Sequence, residues 1–333
     1  MKPPRLLLLA TALATTLASG QAAAMEGVVA SIKPVHSLVA AVMQGVGEPQ
    51  LLVKGAASPH TYSMRPSDAG MLEEAKLVFW VGSGVETFLE KPLGTLAGGA
   101  SIVALSEAPG VTLLDMREGG AFEAHSHGDE DHDHGAHAEE GGHEQDHAHA
   151  DDHDHHHHHG GKDMHIWLDP ENARLMVRQI AASLSEADPA NAAAYDKNAV
   201  ALDQRLNELA SEIEQTLAPV RGKPFIVFHD AYHYFENRFG VEAAGSITVS
   251  PEQVPSAQRL EEIRQKIAET GAACVFAEPQ FEPKLVRIVM EGSQARTGVL
   301  DPEGASLEEG PDLYFALLRN LADSLADCLS GAR

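Results

Sequence analysis

The sequence predicts an α/β protein of two lobes, each a mostly parallel sheet flanked by helices, joined by one long rigid helix. Short β-branched runs alternate with helical patterns in both halves, the signature of strands joined by crossover helices. A single long amphipathic stretch divides the halves, and one low-complexity tract interrupts the first.

Residues 1–24 read as a secretory signal peptide. Lys2 and Arg5 open it, an apolar stretch runs from Leu6 to about Leu17, and Ala22 and Ala24 form an A-x-A pattern with cleavage after Ala24. The stretch is too short to span a bilayer comfortably, and no lipobox cysteine follows. No later run approaches the roughly 20 apolar residues of a spanning helix. The mature chain is therefore expected to be exported and soluble.

The N-terminal lobe is expected over residues 25–187, with strands near 28–32, 51–54, 77–81 and 102–105 and helices near 35–44, 67–74 and 85–90. An insertion at 117–163, rich in His, Asp and Glu, cannot bury a core and is expected to be disordered without metal. Residues 188–219 read as the connecting helix: Asp188 caps it and Pro189 takes its first position. Tyr195, Ala199, Leu202, Leu206, Leu209, Ile213 and Leu217 recur at three and four to make one apolar stripe. About 30 residues at about 1.5 Å each make a rod of roughly 45 Å, long enough to cross both lobes. The C-terminal lobe, residues 220–333, repeats the alternation, with strands near 225–228, 243–247, 273–277 and 298–300. Its helices fall near 232–238, 256–269, 284–291 and 313–329.

The formal net charge is −25, and residues 117–163 supply −12 of it, fourteen carboxylates against Arg117 and Lys162. The remainder is moderately acidic, which argues against nucleic acid or an anionic membrane as partner. Only two cysteines occur, Cys274 and Cys328. In an exported protein they read as one disulfide, worth roughly 4 kcal/mol in the chain-entropy picture, with two buried thiols as the alternative.

Histidine usage points to a transition metal. Fourteen of the nineteen histidines lie in the insertion: His125, His127, His132, His134, His137, His143, His147, His149, His153 and His155, His156, His157, His158, His159. Neutral imidazole is a common ligand for such ions, so these form an auxiliary set of low affinity. His143-Glu144-Gln145-Asp146-His147 matches a zinc-protease pattern, but that motif works only on a helix, and Gly141-Gly142 precede it without apolar periodicity. No enzyme is expected.

A specific site needs a few fixed ligands, and these must come from the other five histidines. In open α/β sheets, ligands sit beyond the carboxyl ends of strands. His229 follows the apolar run 224–228, Asp301 follows Val299-Leu300, His60 lies in the loop after the 51–54 strand, and His165 opens a stretch beyond the insertion. Two come from each lobe, so a metal between them would close the cleft. His36 and His233 read as structural, Trp80 and Trp167 as core, and Arg65 as an ion-pair tie for the His60 loop. Asp230 and Glu278 are the candidates to orient the ligand rings.

Four ordered stretches carry a resemblance: Gly55-Ala56-Ala57-Ser58-Pro59-His60-Thr61-Tyr62-Ser63-Met64-Arg65-Pro66-Ser67-Asp68, Met164-His165-Ile166-Trp167-Leu168-Asp169-Pro170, Phe228-His229-Asp230-Ala231-Tyr232 and Phe276-Ala277-Glu278-Pro279-Gln280-Phe281. With the histidine-rich insertion, they make the chain closely similar to the zinc-specific solute-binding proteins of bacterial ABC transporters, the ZnuA type. The resemblance implies two lobes on a rigid helix, a periplasmic monomer, and Zn2+ held by His60, His165 and His229. It also implies a histidine-rich loop near the site mouth, and a disulfide found in some zinc members that matches Cys274 and Cys328. The implied partners are an ABC transporter permease in the inner membrane and periplasmic zinc chaperones. Some zinc members carry a glutamate before the first ligand histidine where this chain has Pro59, so the fourth zinc ligand is Asp301 or a water. Related manganese-binding members have a glutamate at the position of His229, and three imidazoles with one oxygen suit tetrahedral zinc better than manganese.

Overall fold

The computed structural model describes residues 24–117, 122, 161–248, 251 and 254–331. Nearly all of the expected signal peptide and all fourteen histidines of the insertion lie outside these residues. The first half holds β1 (Val28–Ala30), α1 (Lys33–Val42), β2 (Gln50–Leu51), α2 (Pro66–Glu73), β3 (Leu77–Trp80), α3 (Glu90–Thr95), β4 (Ser101–Ala104) and α4 (Pro170–Ala187). After α5 (Ala192–Leu217) come β5 (Phe225–His229), α6 (His233–Phe239), β6 (Ala243–Thr248), α7 (Ala257–Thr270), β7 (Cys274–Ala277), α8 (Lys284–Met290), β8 (Arg296–Val299) and α9 (Leu313–Ser330).

Both sheets are fully parallel and share one connectivity, β2-β1-β3-β4 and β6-β5-β7-β8. The chain order reverses between β1 and β3 and again between β5 and β7, so each half has a switch point where loops diverge and leave a crevice.

Period-two alternation assigns the faces. Val28, Ala30, Leu77 and Phe79 from one sheet, and Phe225, Val227 and Phe276 from the other, enter the same apolar cluster as the buried faces of α1, α4, α5 and α9. The opposite positions, Val29 and Val78 in one half and Ile226, Phe228 and Val275 in the other, enter two smaller outer clusters. The lobes are thus fused through one continuous core rather than held apart by a bare strut.

The connecting helix keeps its predicted stripe, with Tyr195, Leu202, Leu206, Leu209, Ile213 and Leu217 all buried. It begins later than expected. Pro189–Asn191 form a separate 3-10 turn, and Asp188 accepts from Asn191 and from the Tyr195 hydroxyl instead of capping α5. The sequence reading overlooked α4, an 18-residue helix. Its signals are present: Asp169 accepts from the Glu171 N–H, Pro170 sits at the first position, and Ala173, Met176, Val177, Ile180, Ala181 and Leu184 make an apolar face that packs on α5. The expected helix at 85–90 is a 3-10 turn, Thr87–Leu89, with α3 following it.

Cys274 and Cys328 are bonded, tying β7 to α9 with 6.2 Å between Cα atoms. No helix of the described residues is long and apolar enough to cross a membrane.

The ends of the insertion are structured, contrary to the expectation for 117–163. Asp115 and Lys162 form an antiparallel bridge, Met116 N–H donates to Gly161 O at 2.7 Å, and Asp163 N–H donates to Leu114 O at 2.9 Å. This paired neck leads straight into His165.

Candidate metal centre

Each of the three motif histidines is placed by a different device. His60 lies in a 3-10 turn, Pro59–Thr61, beyond β2. Its loop is anchored by Tyr62, whose hydroxyl donates to Asp68 at 2.8 Å and whose ring meets Phe88 at 5.0 Å. The expected Arg65 ion pair is replaced by its main chain: Arg65 N–H donates to Asp68 at 2.8 Å, capping α2, while the side chain is exposed.

His165 is 7% exposed, and Asp163 accepts from both its main-chain N–H (2.9 Å) and its Nδ1 (2.7 Å). The preceding residue, Met164, lies over Gly84, where a Cβ would come within 2.5 Å of Met164 Cγ. Trp167 is fully buried and locks the segment across the molecule, donating to Pro302 O at 2.8 Å while its own carbonyl accepts from the Tyr314 hydroxyl. Trp80 is only partly buried.

His229 is the last residue of β5 and 3% exposed. Glu278, one residue past β7, accepts from its Nδ1 at 2.7 and 2.8 Å. That contact crosses the second sheet's switch point.

The three rings meet. Their centroids are 5.4, 5.6 and 5.3 Å apart, and one ligand atom from each lies within 4.8 Å of the others. Because carboxylates take Nδ1–H of His165 and His229, both rings present the Nε2 lone pair to the centre. His229 Nε2 is buried without a hydrogen-bond partner. His60 Nε2 stands 3.3 Å from His165 Nε2. Zinc bonds of about 2.0–2.1 Å make a tetrahedral edge of about 3.3 Å, which matches this separation of the two nitrogens. The geometry suits a shared cation.

Electrostatics agree. Burial, then the neighbouring His165 and His229, hold the His60 pKa well below its ordinary value, so it stays neutral. Burial opposes charge on His229 too, but Glu278 outweighs it by charge and hydrogen bond, with Asp230 and Asp163 adding to it, and the pKa is raised.

Asp301 is not part of this group. Its Oδ1 accepts from Gln280 Nε2 (2.9 Å) and from the main-chain N–H groups of Glu303 (3.2 Å) and Gly304 (2.9 Å), closing a turn. His36 faces Pro49 O at 3.1 Å, and His233 opens α6, so both stand outside the group as expected. Asp230, expected to orient a ring, instead pairs with Arg117, which also holds Glu236. The acceptor the sequence reading missed is Asp163. Its D-x-H spacing was visible, but it was counted with the acidic tract.

Comparison with known proteins gives a consistent result. The family described as zinc-uptake complex component A, periplasmic (ZnuA), matches residues 28–328. The high-affinity zinc uptake system protein ZnuA of Brucella suis biovar 1 is 59% identical over 99% of this chain and 100% of its own length. That of Yersinia pestis is 41% identical over 92% of each. Among solved structures, a crystal structure of ZnuA aligns with a TM-score of 0.70 at 25% identity, covering 90% of this chain and 98% of the other. The periplasmic zinc binding protein TroA from Treponema pallidum, at 20% identity, shares the fold with a TM-score of 0.73 over 91% of this chain and 98% of its own. A match over nearly the full length and a 59% identical relative establish that this chain belongs to the ZnuA family.

Proposed function

We propose that the protein is a periplasmic zinc receptor that captures Zn2+ between its lobes and delivers it to an ABC transporter permease for high-affinity uptake. The observation that carries this reading is the convergence of His60, His165 and His229 within 4.8 Å, two of them locked by carboxylates with Nε2 facing inward. The named function of the ZnuA relatives supports it.

In this reading the three Nε2 atoms are the zinc ligands, and a water completes the tetrahedron, because Asp301 lies outside the converging group with its Oδ1 closing a turn. Zinc is cargo, so the protein binds and releases without covalent chemistry. Residues 1–24 direct export and are removed after Ala24. Residues 25–187 and 220–333 act as the two lobes on the 188–219 connection. The histidines of the 117–163 insertion collect zinc weakly and feed the cleft.

Calorimetric titration of protein lacking the insertion tests the site. One tight Zn2+ site is expected, lost in His60→Ala and in His229→Ala; unchanged tight binding in both variants would sink the reading.

A further inference from the structure

The neck of the insertion reaches both ligand loops directly and is also held to one short helix of the other half, α6. From α6, the Tyr234 hydroxyl accepts from Leu114 N–H at 2.9 Å and donates to Asp163 O at 2.5 Å, bridging the two strands of the neck. Two residues on, Glu236 accepts from Arg117 Nη1 at 2.6 Å and Nη2 at 3.1 Å. Arg117 Nε also reaches both oxygens of Asp230 at 3.1 Å, and Nη2 pairs with Asp230 as well. Another two residues on, Arg238 pairs with Asp169 through two contacts of 2.7 Å.

These contacts converge on the site from two directions. The return strand of the neck contains Asp163, which orients His165. The outgoing strand ends in Arg117, which holds Asp230, the residue bonded to His229. Asp230 and Glu236 are nearly buried, with side-chain exposures of 7% and 3%, and a buried carboxylate stripped of its cation must move, protonate or draw in water. Any such movement of residue 230 is transmitted through one peptide bond to His229.

We infer that Arg117 and Tyr234 are positioning residues for the metal centre: by clamping the neck to α6 they set the placement of His165 and His229 without touching the ion. The inference rests on the zinc-receptor reading and deepens it. It gives the root of the histidine-rich insertion a second task, distinct from supplying ligands.

The test uses the full chain carrying one equivalent of Zn2+, mixed with excess chelator while metal release is followed. The same proteins carrying Co2+ report coordination through their d–d absorption. Arg117→Ala should release zinc about tenfold faster or more, as outer groups that orient ligands commonly do. Its Co2+ band should shift or lose intensity, which a purely structural role would not produce. Tyr234→Phe keeps the ring packing and removes both hydroxyl bonds, and a smaller change, about threefold, is expected. Arg174→Ala removes a comparable ion-pair cluster, with Glu171 and Asp203 on α4 and α5, and should leave both readouts unchanged. If Arg117→Ala fails to fold, Tyr234→Phe decides. Folded variants that release zinc within about twofold of wild type, with an unaltered Co2+ band, overturn the inference alone. A wild-type protein without a tight zinc site overturns the receptor reading on which it stands.

Discussion

At the residue scale, the centre depends on which ring nitrogen carries the proton. Glu278 and Asp163 each hold an Nδ1–H, so the Nε2 lone pairs are oriented before any ion arrives. Glu278→Gln should weaken Zn2+ binding by about 10- to 100-fold, measured by chelator competition at pH 7.5. Acidity gives a signed expectation. His229 binds its proton more readily than an ordinary histidine, because Glu278 outweighs the effect of burial. A proton on Nε2 excludes the metal, so wild-type affinity should begin to fall while the pH is still above the ordinary histidine value near 6.5 and keep falling below it. In Glu278→Gln that onset should move to lower pH; equal wild-type affinity at pH 8 and pH 5 would rule out histidine coordination. The three histidines were legible in the sequence because each stands in a distinctive motif at a strand end or loop. Their orienting partners were legible in part: Glu278, named from the sequence, does hold His229, whereas Asp163 stood among the acidic residues of the insertion and Asp230 holds no ring. Asp230, adjacent in sequence, is taken by Arg117, while Glu278, 49 residues away, is brought alongside by the β5–β7 pairing.

At the scale of elements, the strands with continuous apolar runs, β1, β3, β5 and β7, fall where expected, whereas β2 is Gln50–Leu51 rather than 51–54 and β8 is Arg296–Val299 rather than 298–300, because neither is itself a continuous apolar run that marks its bounds. The helix α4 carries ordinary signals, an Asp169-Pro170 start and an apolar face, but its start overlaps the end of the His165 motif, so cap and motif share the same residues. What no single-sequence pattern discloses is close packing between distant elements. The loop after β3 supplies a floor for Met164 only because residue 84 lacks a side chain. Gly84→Ala should push Met164 and with it His165, overpacking that costs about 1–3 kcal/mol of stability and weakens zinc binding. Adding Met164→Ala should restore the space, so the double variant should bind zinc more tightly than Gly84→Ala alone. Titration of the two variants beside wild type provides the check, and no recovery would mean that this contact does not position His165.

At the scale of the molecule, buried charge between the halves has its own signature. Burial pushes the Glu86 carboxyl up to about 7, although Ser31 and the main-chain N–H groups of Gly82 and Val81 draw it down. Glu303 is raised as well, by burial and by Glu86, Asp301 and Glu278, with Lys33 opposing. Lys33 itself crosses from α1 to donate to the carbonyls of Gly304, Ala305 and Leu307 at 3.1, 3.0 and 3.0 Å. For Glu86 the folded chain keeps a proton that the unfolded chain gives up from about pH 4.5, so its stabilising contribution is full below that value and is lost as pH rises through about 7. Glu86→Gln should therefore gain stability over wild type at pH 8 and lose that advantage toward pH 4.5, read from urea midpoints; a gap independent of pH would contradict the assignment.

The shared interior has a consequence for how loading is signalled. Since inner faces of both sheets, α5 and the flanking helices form one cluster, prying the halves apart would expose its apolar surface to water. Any closure that moved the halves as bodies would have to offset that cost. If the core stays shut, filled and empty forms would differ in the turns around the crevice, and a docking partner would tell them apart by local texture, as a fingertip reads a raised letter, rather than by a change in the outline of the whole.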